Sequence, residues 1–173
     1  FRPNYLPISF GTLAGLERGE LFDPARKTSA HEAHVAAGCL FEDVGQWKRA
    51  RYFPRSGEDM HAAVDRECKA VRTGVGMFDA STLGKIEVVG PDAATLLSRL
   101  YVNGFSTLAV GRSRYGILLR DDGFIYDDGV IARIAEERFH VTTTTGGAAR
   151  VFGMMEDYLQ TEWPDLRCWL TST

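Results

Sequence analysis

At 173 residues, with 45% hydrophobic and 25% charged side chains, the chain has the balance of an ordinary globular protein and enough length for a core of its own. A net charge of −3 with no standout basic face excludes a nucleic-acid partner, and no apolar run reaches bilayer-spanning length, so no membrane is expected. Three cysteines, Cys39, Cys68 and Cys168, are odd in number and widely spaced, which argues against a disulfide framework or a zinc site and for a reduced, cytoplasmic setting.

The N-terminus FRPNYLPISFG lacks the basic region and apolar core of a signal peptide, and it does not begin with Met, so the chain reads as a piece of something longer. Residues 1 to about 28 are rich in Pro, Gly and Arg and have no period, as a connecting arm would be. A short helix over 29–34 with Ser29 as its cap is expected next. Residues 39–53, with Phe41, Val44, Trp47, Tyr52 and Phe53, read as extended. His31 and His34 lack a third ligand and read as surface histidines, so no metal site is assigned. On this reading residues 1–55 are an arm or linker and 56–173 a folded domain.

Ser56 and Asp59 have capping-box spacing ahead of a helix over 56–73, whose stripe is Met60, Ala63, Val64, Cys68 and Val71 and whose Gly74 suits a left-handed end. A strand over 85–90 follows. Pro91 then opens a helix with buried positions Ala93, Leu96, Leu97, Leu100 and Tyr101, ended by Asn103-Gly104. After the central hairpin come a turn at Glu136-Glu137, a strand over 138–145, a helix marked by Ala148, Val151, Phe152, Met155 and Leu159, and a last strand over 167–171. From residue 85 the order is β-α-β-β-(β)-α-β. That is an α+β, ferredoxin-like pattern, an antiparallel sheet with its helices on one face, preceded by an extended N-terminal arm.

The hairpin, RYGILLRDDGFIYDDGVIARIA, turns at Asp122-Gly123, a pair suited to a two-residue type I′ loop. That loop would pair Leu119 with Tyr126, Ile117 with Asp128 and Tyr115 with Val130. One face then carries Tyr115, Ile117, Leu119, Tyr126, Asp128 and Val130, with Tyr115 a diagonal neighbour of Asp128 at roughly 7–8 Å. A carboxylate among apolar neighbours is costly unless paired, which singles out Asp128. Asp127 points to the other face, and its removal is expected to matter much less. Gly84-Lys85 is no phosphate loop, since Asp79 stands where the first Gly belongs.

The stretch VGMFDASTLGKIEVVGPDAATLLSRLYVNGFSTLAVGRSRYGILLRDDGFIYDDGVIARI resembles the aminomethyltransferase family, which groups the glycine-cleavage T-protein with the folate domains of dimethylglycine dehydrogenase, sarcosine dehydrogenase and sarcosine oxidase. Further stretches, among them ISFGTLAG, FDPARKT, FEDVGQWKRARYFPRSGEDMHAAVDRECKAVR and VTTTTGGAARV, are similar to the alpha-subunit branch of heterotetrameric sarcosine oxidases and extend the likeness over nearly the whole chain. The resemblance implies transfer of a one-carbon unit to tetrahydrofolate, giving 5,10-methylenetetrahydrofolate, in a complex whose other parts hold FAD, FMN and NAD. Its partners would be the other subunits of that complex and the small-molecule folate. The family's key acid falls on Asp128, and the aromatic against which folate packs falls on Tyr115. The family's Asn before the second helix falls on Thr144, and the T-protein's Thr-Asn-Asp is replaced by Val102-Asn103-Gly104, both of which fit the sarcosine oxidase branch better. A free-standing T-protein-like enzyme and a non-catalytic relative are the alternatives. The pterin-gripping acid, the rest of the folate domain and its C-terminal barrel would lie beyond residue 173, and the dinucleotide domains before residue 1. The chain would then be a truncated folate-binding domain, inactive alone.

Overall fold

The computed structural model describes residues 26–173, so most of the expected N-terminal arm lies outside the described residues. The chain divides into two compact units between Val75 and Gly76. The helix expected to open the second unit at residue 56 therefore groups with the first.

In the first unit, β1 (Arg26–Lys27), β3 (Trp47–Tyr52) and β2 (Leu40–Val44) form a three-stranded sheet in the order β1-β3-β2. The β2–β3 hairpin turns at Gly45, whose φ of 60° is one that L side chains rarely adopt. Helix α1 (His31–Ala36) does not use Ser29 as its cap. The His31 N–H donates to the Thr28 carbonyl, which closes a turn with Ser29 inside it, and Ala30 takes the cap position. His31 is buried, not on the surface, with its ring 4.6 Å from that of Phe41, and His34 meets Phe53 edge-on.

Helix α2 (Met60–Thr73) starts later than expected. Asp59 is the cap, accepting from the Ala62 N–H at 2.8 Å, while Ser56 lies with Gly57 inside a separate turn closed by the Glu58 N–H on the Arg55 carbonyl. Of the predicted stripe only Ala63 is fully buried; Val64, Cys68 and Val71 are exposed. Gly74 ends the helix at φ −144°, not in the left-handed region.

The second unit runs β4 (Gly84–Val89), α3 (Ala93–Leu100), β5 (Ser113–Leu119), β6 (Ile125–Ala135), β7 (Arg138–Thr143), α4 (Ala148–Thr161) and β8 (Trp169–Ser172). Its sheet is antiparallel throughout, in the order β5-β6-β7-β4-β8. This is the expected α+β arrangement, with the three-stranded meander β5-β6-β7 widening the sheet to five strands. Ile86, Val88, Leu118, Ile131, Phe139 and Val141 from the sheet share one core with Leu96 and Leu97 of α3 and Val151 and Met155 of α4. Both helices thus cover the same face, and on the other face Tyr115, Leu119, Val130 and Ile134 are exposed among the described residues.

Two expectations follow. A methyl group on Gly129 would stand 1.9 Å from the Thr142 carbonyl oxygen, and that backbone cannot swing aside as a side chain would. Gly129→Ala should cost about 2–3 kcal/mol, whereas Gly146→Ala, which meets nothing within 4 Å, should change stability by less than about 0.5 kcal/mol in thermal unfolding. In the first unit, the Arg66 guanidinium and then the Arg55 N–H hold the Glu58 carboxyl down at about 2, from an ordinary 4.5. Because the folded value is the lower one, this contribution is complete above about pH 4.5 and is lost as the pH falls towards 2. Glu58→Gln should remove that part of the acid destabilisation, measured by urea unfolding across the range.

Candidate functional site

The β5–β6 hairpin is not closed by a two-residue type I′ loop. Only Gly123 has positive φ, at 84°, while a type I′ turn needs two such residues. The Gly123 N–H donates to the Arg120 carbonyl and the Arg120 N–H to the Phe124 carbonyl, which makes a three-residue loop of Asp121, Asp122 and Gly123. Asp122 helps to set it, accepting from the Phe124 N–H at 3.1 Å. The loop alone would displace the register by one, and Leu119 indeed faces Ile125 rather than Tyr126. A bulge at Tyr126 restores it, so that Ile117 faces Asp128 and Tyr115 faces Val130 as expected.

On the open face of the sheet the Tyr115 hydroxyl donates to Asp128 Oδ2. The structure therefore joins the two residues that the hairpin pattern placed as diagonal neighbours. That hydrogen bond to Asp128, ahead of desolvation, pushes the Tyr115 phenol above its ordinary value. Asp128 is half-buried and Tyr115 is 54% exposed, with Ile117 half-buried and Val130 exposed beside them. The arrangement is a flat wall of one aromatic ring and aliphatic groups around one oriented carboxylate. It can hold a planar, hydrogen-bonding ring and accept a proton from it.

The acid that strict alternation set aside is the buried one. Asp127 is only 5% exposed, on the helix-covered face with Leu118 and Ile131. Its Oδ1 accepts from the Asp128 N–H at 2.9 Å and, more weakly, from the Thr144 N–H at 3.4 Å. Its Oδ2 is buried without a partner, in space that Gly147 leaves free: a Cβ on Gly147 would stand 2.3 Å from it. The sequence reading takes the face of Tyr115 as the apolar one and sets Asp127 on the face opposite. The signal against this was in the sequence: Gly116 and Gly129 sit on the face of Asp127, where Tyr101 and Thr142 come too close for any side chain.

Thr144 follows β7 and belongs to the turn into α4. Its Oγ1 and carbonyl both accept from the Gly147 N–H at 3.2 Å, and its own N–H reaches Asp127, not Asp128. Its neighbours are committed elsewhere: Thr142 Oγ1 bonds both the N–H and the carbonyl of Val130, and Thr145 pairs with Thr82 in the interior. A depression of about 350 Å³ lies at the hairpin tip, lined by Leu119, Arg120, Asp121, Asp122, Tyr126, Met154 and Tyr158. Neither Asp128 nor Tyr115 lines it, so the candidate acid stands on the open face instead.

Residues 30–173 match the family model described as the GCVT N-terminal domain. The chain is 59% identical over 172 residues to a protein named sarcosine oxidase subunit alpha from Corynebacterium sp. (strain P-1), covering 99% of this chain and 18% of that protein. It is 48% identical over 173 residues to one of the same name from Rhizobium meliloti (strain 1021), again covering 18% of it. The chain thus spans about a fifth of the length of these curated relatives. Among solved structures, the glycine cleavage system aminomethyltransferase T from Bartonella henselae superposes with a TM-score of 0.74 at 28% identity, over 86% of this chain and 38% of that one. With the family model covering all but the first 29 residues and a solved relative sharing the fold, the chain belongs to the GCVT N-terminal domain family of aminomethyltransferase-like proteins.

Proposed function

We propose that this chain is the first part of the folate-handling domain of a sarcosine oxidase alpha subunit, passing the one-carbon unit released from the N-methyl group of sarcosine to tetrahydrofolate. The single observation that carries this is the Tyr115–Asp128 pair on the open face of the sheet. The identity of 59% over 99% of the chain supports the sarcosine oxidase branch over a free-standing aminomethyltransferase, whose solved example is 28% identical. Cytoplasmic location and assembly with the other subunits belong to the same proposal. So does the placing of FAD, FMN and NAD in the rest of that complex. Among the described residues no helix is long and apolar enough to cross a membrane.

The chemistry asks little of this chain beyond position and one proton. A flavin held elsewhere in the complete enzyme would supply the two-electron oxidation that takes the N-methyl amine to an iminium. The Tyr115 ring and the aliphatic groups of Ile117 and Val130 would hold the pterin ring. N5 of tetrahydrofolate then attacks the iminium carbon, the C=N electron pair returns to the glycine nitrogen, and the proton leaving N5 passes to the Asp128 carboxylate; returned to the glycine nitrogen, that proton lets glycine leave with the electron pair of its bond to the carbon, and N10 closes on the carbon and gives up its own proton, so that 5,10-methylenetetrahydrofolate forms. The Tyr115 hydroxyl holds that carboxylate in one orientation, and an oriented acceptor is what general-base help requires. Thr144, at the turn into α4, is the further residue that this reading assigns to folate.

In the complete enzyme, Asp128→Asn should lower methylenetetrahydrofolate formation per oxygen consumed by about 100-fold or more, with free formaldehyde released instead. Oxygen uptake with sarcosine alone should stay near the parent value, because the flavin step does not involve this face. An unchanged product ratio would mean that another group takes the proton. The isolated chain offers folate an open face, with Tyr115 54% exposed, where small-molecule sites ordinarily bury most of their ligand. Titration calorimetry of tetrahydrofolate into the chain alone should show no saturation in the micromolar range.

A further inference from the structure

Both residues assigned to the folate site next to the helix turn, Asp128 and Thr144, hang by their backbones from a third residue to which nothing so far gives a role. We propose that Asp127 is a positioning residue, whose buried carboxylate fixes the backbone of Asp128 and Thr144 together and so sets where the Asp128 carboxylate stands. The inference rests on the assignment of Asp128 as the proton acceptor.

The need for such a clamp comes from the sheet. β6 pairs with β7 only from Ile131 to Ala135. Upstream of Ile131, the N–H groups of Asp128 and Val130, two residues apart and so on the same edge of the strand, have side-chain oxygens in place of ladder partners. Val130 donates to Thr142 Oγ1 at 2.8 Å and Asp128 to Asp127 Oδ1 at 2.9 Å. β7 has by then turned away towards α4, and the same Oδ1 takes the Thr144 N–H at 3.4 Å. One oxygen therefore spans the gap where the two strands part. Displacing it frees the backbone of the proposed acid from the β7–α4 turn.

The surroundings keep that oxygen in one place. Tyr101, 5% exposed, lies on the same side, and its phenol is pushed up by burial and then by the Asp127 charge. Gly147, the cap residue of the 14-residue helix α4, leaves room for Oδ2 and none to spare. Partial positive charge at a helix start lowers the cost of a buried carboxylate there. Oδ2 has no partner, so the hydrogen bonds that matter are those of Oδ1.

The test uses the complete enzyme with its partner subunits and reads methylenetetrahydrofolate against formaldehyde at saturating tetrahydrofolate. Unfolding of the folate domain alone would also lower this ratio, so it is read well below the Tm of each variant. Asp127→Asn keeps an acceptor oxygen in place and should leave the ratio within about twofold of the parent. Asp127→Ala should lower it about tenfold or more, the loss expected for a hydrogen bond to a charged group. Should Asp127→Ala fail to fold, Gly147→Ala makes the same test by pushing the carboxylate aside. Combined with Asp128→Asn, Gly147→Ala should lower the ratio no further than Asp128→Asn alone. A lower Tm with an unchanged ratio in Asp127→Ala and Gly147→Ala would reduce Asp127 to a purely structural acid and overturn the inference. If Asp128→Asn shifts the ratio and these two do not, the positioning role fails while the assignment of Asp128 stands. If Asp128→Asn has no effect and the Asp127 variants do, Asp127 acts by itself, and both readings fall.

Discussion

The close approach of Gly129 to the Thr142 carbonyl decides how the sheet is built around the candidate site. At that point the backbones of β6 and β7 come within a methyl group of each other, although their ladder has already ended at Ile131. Buried N–H groups at such a parting must find other acceptors, since an unpaired one costs about as much as a lost hydrogen bond. Thr142 and Asp127 supply those acceptors from within the two strands themselves. The gap is therefore a built feature, and it leaves Asp128 facing outward from a strand whose inner edge is tied down.

Two neighbouring carboxylates consequently hold opposite positions. Asp127 spends its acceptor capacity on backbone groups inside the fold, next to the first turn of α4. Asp128 is half-buried on the open face, with its carboxylate engaged by a phenol that is itself half-exposed. A residue that must exchange a proton with a ligand needs access, and one that must hold a backbone needs burial. Alternation along a strand provides one of each in successive positions. The buried carboxylate and the accessible one are thus different residues, whereas the sequence pattern assigns both properties to Asp128.

The parts of the fold that were legible in the sequence are those governed by local periodicity. The stripes of α3 and α4, the strand at residue 84 and the antiparallel ribbon all follow from spacing of apolar residues. The pairing of Ile117 with Asp128 was reached through the wrong loop: an assumed two-residue turn and the real three-residue turn with a bulge at Tyr126 give the same register beyond the bulge. Asp59 rather than Ser56 caps α2 because a turn through Gly57 intervenes, which capping-box spacing by itself does not reveal. What could not be read was which face of the ribbon α3 and α4 would cover. Tyr115, Leu119 and Val130 made their face look like the core, while the true core face is interrupted by Gly116, Asp127 and Gly129. Those three are there because Tyr101, Thr142 and Gly147 arrive from distant segments, and no local pattern records that.

The same distinction between local and distant demands accounts for one departure from the T-protein pattern. Where that pattern has Thr-Asn-Asp, this chain keeps only the central residue, in Val102-Asn103-Gly104. The Asn103 side chain accepts from the Ile117 N–H at 3.1 Å, and the Val102 N–H donates to the Ile117 carbonyl. Ile117 lies on β5, at the edge of the sheet, directly opposite Asp128. An edge strand with free N–H and carbonyl groups is open to misplaced pairing. Here the segment after α3 closes that edge at the residue facing the candidate acid. Val102 is 64% exposed and contributes its backbone, so its side chain is free to vary. Gly104 likewise contributes its carbonyl, which accepts from Arg114. Only the central position serves β5 through its side chain. The geometry of the sheet edge thus gives Asn103 a role that requires no contact with folate.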